Sequence, residues 1–293
     1  MSVLSNYFIR FTEPYDLELW STVRLPFEPK GWLKQMREDL RSALTHMRPE
    51  PNLVLESIYI SKEPGYFDTE NVLLYNVGPS YLKHLCKNGL SFRHLSQNPP
   101  TTQAPINDRY HHYQRYKLVP KSSVSIGMND TEAIAKWNNL ICPSLTTETR
   151  PHVFWSLMRQ HPIETSEVPF QHNFGIDLIL KVPFSRPINA VALIKPLLDG
   201  IISSFHSHDG SNLSLVSSRL ADLTGIKEST ITTLLMESKM AVLGQRCLIH
   251  PRVQGIQWNP ADHLCSEVNL VVQYENISDW ILSGLLKPTR VNT

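Results

Sequence analysis

Lys195 and Asp199 stand four positions apart in the run Leu193-Ile-Lys-Pro-Leu-Leu-Asp199, a spacing that puts an ammonium and a carboxylate on one face of a helix. Phe205-His-Ser-His-Asp-Gly210 follows within a dozen residues. A turn there can bring His206, His208 and Asp209 towards both groups. A second constellation is Trp258-Asn-Pro-Ala-Asp-His-Leu-Cys265, where a turn-forming Asn-Pro precedes Asp262 and His263 just ahead of a strand. Oxygen and imidazole ligands suit Mn²⁺, Fe²⁺ or Zn²⁺, which makes His208, Asp209 and Asp262 candidate metal ligands. Lys195, Asp199, Asp209 and Asp262 are then the candidate catalytic set of a divalent-metal nuclease or phosphodiesterase, with Lys195 on phosphate. Asp262 equally suits a cap on its own turn.

Two further segments point to nucleic acid. In Arg109-Tyr-His-His-Tyr-Gln-Arg-Tyr-Lys117, Tyr110, Tyr113 and Tyr116 can stack bases while Arg109, Arg115 and Lys117 contact phosphates. The same alternation suits an exposed strand with one aromatic and one basic face. Leu220 to Leu235 resembles a helix-turn-helix, with Ala221 as the small contact residue, Gly225 in the turn and Ile231 as the buried contact of the second helix. Lys227, Glu228, Glu237 and Lys239 cancel one another, whereas DNA affinity draws on phosphate neutralisation. An ordinary helical hairpin covering a sheet fits the same pattern.

Residues Leu193 to Asp199 also resemble the helix of RusA-type Holliday junction resolvases, in which Leu-(Leu/Ile)-Lys-Pro-x-Leu-Asp follows an Asp-x-Asp-Asn. The resemblance spans about a tenth of the chain. It implies a RusA-like scaffold on which acids hold Mg²⁺ (or Mn²⁺) to activate water for phosphodiester cleavage. The positions of the family's two aspartates hold Asn189 and Val191 here, and a valine binds no metal. On this reading the scaffold is kept without its usual acids, as in a binding subunit of a prokaryotic DNA repair or defence assembly. A purely structural interaction subunit is the third alternative.

The chain has 293 residues, 41% apolar and 19% charged, enough for a substantial core. Net charge is +1, so attraction to a polyanion has to come from a local patch. Cys86, Cys142, Cys247 and Cys265 form no C-x-x-C pair and read as reduced thiols rather than a disulfide or zinc framework. No Gly-x-Gly-x-x-Gly, Walker A loop, Gly-x-Ser-x-Gly elbow or His-Glu-x-x-His occurs. The first residues lack the pattern of a signal peptide and no apolar run reaches the ~20 residues of a bilayer span. The expectation is a cytoplasmic protein without a membrane partner.

Several elements must position these groups. Thr22–Phe27 reads as a strand, then Trp32, Leu33, Met36, Leu40, Ala43, Leu44 and Met47 recur at helical spacing. Strands are expected at Leu53–Ile60 and Asn71–Val77, joined as a hairpin through Gly65. A similar order follows at Leu178–Phe184 (strand), Val191 to Phe205 (helix) and Glu267–Gln273 (strand), and both Thr22–Phe27 and Leu178–Phe184 end in Pro-Phe. The predicted class is α+β, two related β-α-β units with sheet against helices, divided at residues 1–150 and 151–293, with a helical insertion at 211–243. Ser96–Pro105 and Cys142–Arg150 read as loops and His152–Gln160 as a helix. The stripe Val191, Ile194, Leu198 and Ile201 can continue onto a partner helix, which makes a homo-oligomer or protein partner expected.

Overall fold

The computed structural model describes residues 5–63, 68–101, 109–124, 126–128 and 131–289. In chain order the first half holds β1 (Tyr7–Thr12), β2 (Asp16–Ser21), α1 (Trp32–His46), β3 (Leu53–Ser61), a π-helical turn (Asn71–Tyr75), α2 (Pro79–Leu82), β4 (Gly89–Leu95), β5 (His112–Pro120) and β6 (Ala135–Cys142). There follow α3 (Pro151–Arg159), β7 (Glu164–Thr165), β8 (Phe174–Pro183), α4 (Ala190–Ser204), β9 (Ser207–His208), α5 (Leu213–Thr224), α6 (Glu228–Met236), β10 (Gln245–Arg246), β11 (Ile249–Pro251), β12 (Ile256–Trp258), β13 (Cys265–Glu275) and β14 (Trp280–Pro288). Helices and mixed sheet make the class α+β. No helix among the described residues is long and apolar enough to cross a membrane.

These elements fall into two compact units. The first holds the described residues up to Ile126 with Ile188–Ala192 and Ser266–Gln273; the second holds Gly127–Pro187, Leu193–Cys265 and the described residues from Tyr274 on. The expected division at residue 150 therefore lies within the second unit, in the approach to α3.

In the first unit the strands run in the order β1-β2-β5-β3-β4-β13. All of these pairs are antiparallel except β3 with β4, which is parallel. The stripe predicted for α1 is the one it buries, through Met36, Leu40 and Leu44. Tyr7 of β1 stacks on Trp32, ring centroids 6.2 Å apart, and fixes the helix on the sheet.

Two expected strands are absent. Thr22–Phe27 is irregular because Pro26 offers no N–H to a ladder; Leu25 anchors it in the core. Asn71–Val77 begins as a π-helical turn, with the Asn76 N–H donating to the Asn71 carbonyl at 2.8 Å. Its consecutive buried residues Val72, Leu73 and Leu74 are a short apolar run of the kind that periodicity cannot assign. Gly65 and residues 102–105 of the Pro-rich stretch lie outside the described residues.

In the second unit the strands run β8-β14-β6-β7, antiparallel throughout. Two small pairs stand apart, β9 parallel to β10 and the hairpin β11–β12. Helix α4 buries its whole apolar stripe, since Val191, Ile194, Leu198, Ile201 and Phe205 are at most 1% exposed. The stripe is filled within the chain, which removes it as a surface for a partner helix. Pro196 lies inside α4 and deprives the Ala192 carbonyl of its helical donor. The Tyr75 hydroxyl donates to that carbonyl at 3.3 Å.

Candidate functional site

Helices α5 and α6 are joined through Gly225, whose φ of +72° is the left-handed conformation that ends a helix at little cost to glycine. Both helices rest on a core of their own. Trp155 from α3, Val216 and Leu220 from α5, Ile231 and Leu235 from α6, and Leu248 and Ile249 at the start of β11 are all fully buried in it. Burying a side chain of this size contributes about 2 kcal/mol. Ala221, Ile226, Ile256 and Trp258 pack against the same cluster, and the rings of Trp155 and Trp258 are 5.8 Å apart. Ala221, Gly225 and Ile231 thus occupy the contact, turn and core positions of this helix pair.

The β11–β12 hairpin lies beside this pair. Arg219 of α5 binds its loop from below, Nη1 donating to the carbonyls of Arg252 and, at 2.7 Å, Gly255. Arg252, Val253, Gln254 and Gly255 at the tip are exposed, Val253 at 98%. On α6 the exposed residues include Glu228, Ser229, Thr230 and Thr233. Between Leu213 and Trp258 the cations are Arg219, Lys227, Lys239, Arg246 and Arg252, and the acids Asp222, Glu228 and Glu237. Glu237 is engaged by Arg159 at 2.9 Å. Two helices and a hairpin on one core present hydroxyls, an exposed cation and a projecting loop.

Comparison with known protein families, curated proteins and solved structures finds no match.

The first catalytic set is divided by the fold. Lys195 Nζ lies 3.4 Å from Asp199 and 3.6 Å from Asp262, so α4 and the Asp262 turn meet, a contact that sequence spacing could not show. Asp262 also accepts the N–H of His263 at 3.1 Å, the turn cap expected of it. The ammonium stands between the two carboxylates, in the place that a cation shared by them would take. This is a salt-bridged triad. At the positions of the RusA-type acids, Asn189 accepts the Ala192 N–H at 3.4 Å as a helix cap and Val191 is buried. Those residues do not fit Mg²⁺, and no hydrolytic step is drawn through it.

Asp209 and His208 belong elsewhere. Their donor atoms, with the sulfur of Cys247, lie within 4.8 Å of one another; Cys247 takes the place that Asp262 was expected to fill. His206 is also apart from Lys195. Its Nδ1 donates to the Gly244 carbonyl at 3.1 Å, and burial holds its pKa down to about 4.

The basic and aromatic segment forms β5, which has β2 on one side and β3 on the other. Tyr113 shares its face with Arg115 and Lys117, while Tyr116 and Gln114 point into the opposite core. An aromatic face opposite a basic one does not form. Tyr110, Tyr113 and Tyr116 are buried. Burial and the bond to Glu18, 2.6 Å away, raise the Tyr113 pKa above its ordinary value.

Arg115 forms a bidentate pair with Asp16 at 2.9 and 2.5 Å, and this bond raises its pKa. Across the same face Arg10 pairs with Glu18, Lys117 stands opposite Asp16 and Glu56, and Arg93 stands opposite Glu267. Each cation has an acid beside it. Arg109 lies just before the strand and is exposed.

Proposed function

We propose that this protein binds duplex DNA through α6, with the β11–β12 hairpin as a flanking contact. The observation that carries the reading is the shared core of α3, α5, α6 and the hairpin. It leaves Ser229, Thr230 and Thr233 outward on the second helix of the pair while Arg252 and Val253 project from the hairpin tip.

The second helix of a helix-turn-helix enters the major groove through its N-terminal residues. A groove about 12 Å wide admits a helix, and hydroxyls hydrogen-bond to base edges or phosphates. The positive end of the α6 dipole and Lys227 beside it favour a phosphate there. Arg252 suits a phosphate beside the neighbouring minor groove, where an apolar tip such as Val253 can also be accommodated. The major groove of A-form RNA is too deep and narrow for side chains to read, which is why the proposal is DNA.

The chemistry is binding without cleavage. The test is fluorescence anisotropy of labelled duplex DNA, duplex RNA and single strands with the full chain at low salt. Duplex DNA is expected to bind best, and Lys227→Ala with Arg252→Ala to weaken it about tenfold or more, two phosphate contacts being lost. Equal binding by the double variant, or preference for RNA, would overturn the assignment to α6 and the hairpin.

A further inference from the structure

His208 ends β9, which runs parallel to β10 so that His208 stands opposite Arg246. The next residue of that second strand is Cys247, and the chain then turns into the hairpin through His250. His208 is fully buried, Cys247 half-buried and Asp209 exposed. Nitrogen, oxygen and sulfur donors are therefore gathered at the junction of the α4–α5 connection and the base of β11.

The donor atoms of His208, Asp209 and Cys247 stand within 4.8 Å of one another, so small side-chain shifts bring them to a coordination sphere. With bonds of about 2.0 to 2.3 Å, neighbouring ligand atoms in a tetrahedral zinc site stand roughly 3.3 to 3.7 Å apart. His208 Nδ1 is 3.2 Å from Asp209 Oδ1, and Cys247 Sγ is 3.5 Å from His250 Nδ1. His208 Nε2 faces the Ile249 carbonyl at 3.4 Å. A proton on Nε2 leaves the Nδ1 lone pair for a ligand, and a backbone carbonyl is a usual outer partner for a metal-bound histidine. The Gly210 N–H occupies that lone pair at 3.0 Å, and the Ser211 N–H donates to Asp209 Oδ1 at 2.9 Å. A metal ion displaces the first bond and tolerates the second, because the carboxylate has a further oxygen.

We propose that His208, Asp209 and Cys247 form a site for a zinc-class transition metal ion whose fourth position is left to solvent. Sulfur selects against Mg²⁺ and Ca²⁺, and an imidazole with a thiolate and a carboxylate suits a tetrahedral ion that takes solvent as its fourth ligand. On binding, the Cys247 S–H loses its proton to solvent and the sulfur bonds to the metal as thiolate. The three ligands come from both sides of α5 and α6 in the sequence. The ion is a structural clamp that ties the entry to α5 to the base of the hairpin. This site is independent of whether α6 reads DNA.

The experiment uses the full chain, stripped with a chelator and titrated with Co²⁺ alone, followed by displacement with Zn²⁺. Expected are a near-ultraviolet thiolate-to-cobalt charge-transfer band and the strong visible bands of tetrahedral cobalt, both erased by Zn²⁺. Cys247→Ser is expected to abolish the charge-transfer band and weaken Zn²⁺ by more than the roughly ten- to hundredfold that loss of a supporting outer group costs. His250→Ala should keep both the charge-transfer band and the tetrahedral visible bands. Asp262→Asn should change neither.

A second readout needs no variant. Zn²⁺ is expected to protect Cys247 from alkylation in the native protein, with buried Cys86, Cys142 and Cys265 as slow-reacting internal references. A spectrum of hydrated octahedral cobalt throughout, bands that survive Cys247→Ser, or alkylation of Cys247 unaffected by Zn²⁺ each overturn the site.

Discussion

Arg159 at the end of α3 meets Glu237, the residue that closes α6, with Nη1 2.9 Å from Oε2. The guanidinium also donates to the carbonyl of His206. Burial lowers the Arg159 pKa to about 10, opposed by Glu237, so the group remains charged at neutral pH. The Arg159 side chain is 1% exposed and that of Glu237 32%. This difference makes the two halves of the pair unequal. Glu237→Ala strands a buried cation, a loss of about 3 kcal/mol or more, whereas Arg159→Met leaves an acid that water can reach. Thermal melts are expected to show the larger drop, roughly 10 °C, for Glu237→Ala. A larger drop for Arg159→Met would mean that the guanidinium acts through its packing and its bond to His206 and not through the pair.

The same helix pair sets the expected salt dependence. Lys227, Lys239 and Arg252 are the exposed cations between Leu213 and Trp258, which allows about three phosphate contacts. Log affinity for duplex DNA should then fall with log salt at a slope near −2.7, or about 40-fold between 50 and 200 mM. Titration at four salt concentrations gives the slope, and Arg252→Ala should flatten it by about one. A slope of eight or more would place the contact on a larger basic surface than this segment possesses.

The strongly periodic parts of the fold were legible in the sequence. The stripes of α1 and α4 emerged because burying one face of a helix demands that spacing, and Ala221, Gly225 and Ile231 marked the helix pair through local turn and contact rules. Strands β1, β2, β4, β6 and β14 were not anticipated; apart from the local β1–β2 pairing, β2, β4, β6 and β14 each have a sheet neighbour far away in sequence, as Ala135 opposite Leu286 illustrates. The meeting of Asp262 with Lys195 depends on the same kind of long-range return. Cys247 was set aside for want of a C-x-x-C pair; it returns beside His208 and Asp209 through the β9–β10 pairing, which sequence spacing does not show. The hairpin had a signal too, in Gly255 between the runs that became β11 and β12.

His206 provides a pH test. Its pKa is lowered to about 4, first by burial, with Arg246, Arg159 and His263 adding repulsion. An unfolded histidine titrates near 6.5, so between these values the unfolded chain binds the extra proton. The stability that His206 contributes is present above about pH 6.5 and is lost as pH falls towards 4, on the order of 3 kcal/mol in all. Denaturant unfolding at pH 7 and pH 4.5 is expected to show a smaller loss for His206→Gln than for the native chain. Since His84, His94, His112 and His152 are lowered as well and remain in the variant, the difference isolates His206. Parallel profiles for the two proteins would show that this imidazole is solvated.

Gly200 sets propensity against packing. It lies within α4, where alanine gains about 1 kcal/mol over glycine. A Cβ there, however, would stand 2.4 Å from the carbonyl oxygen of Pro151 and 2.7 Å from Cβ of Phe154. The first of these is backbone at the start of α3 and has no rotamer to yield. Gly200→Ala therefore forces α3 away from α4, at about 1 to 3 kcal/mol for the overpacking, enough to reverse the helix gain. Because α3 carries Trp155 into the core beneath α5 and α6 and Arg159 to the end of α6, the displacement should also reach the proposed DNA contact. The variant is expected to melt lower and to bind duplex DNA more weakly, with its exposed α6 residues unchanged. A higher melting temperature would mean that the two helices have room to separate and that the close approach at Gly200 does not position the helix pair.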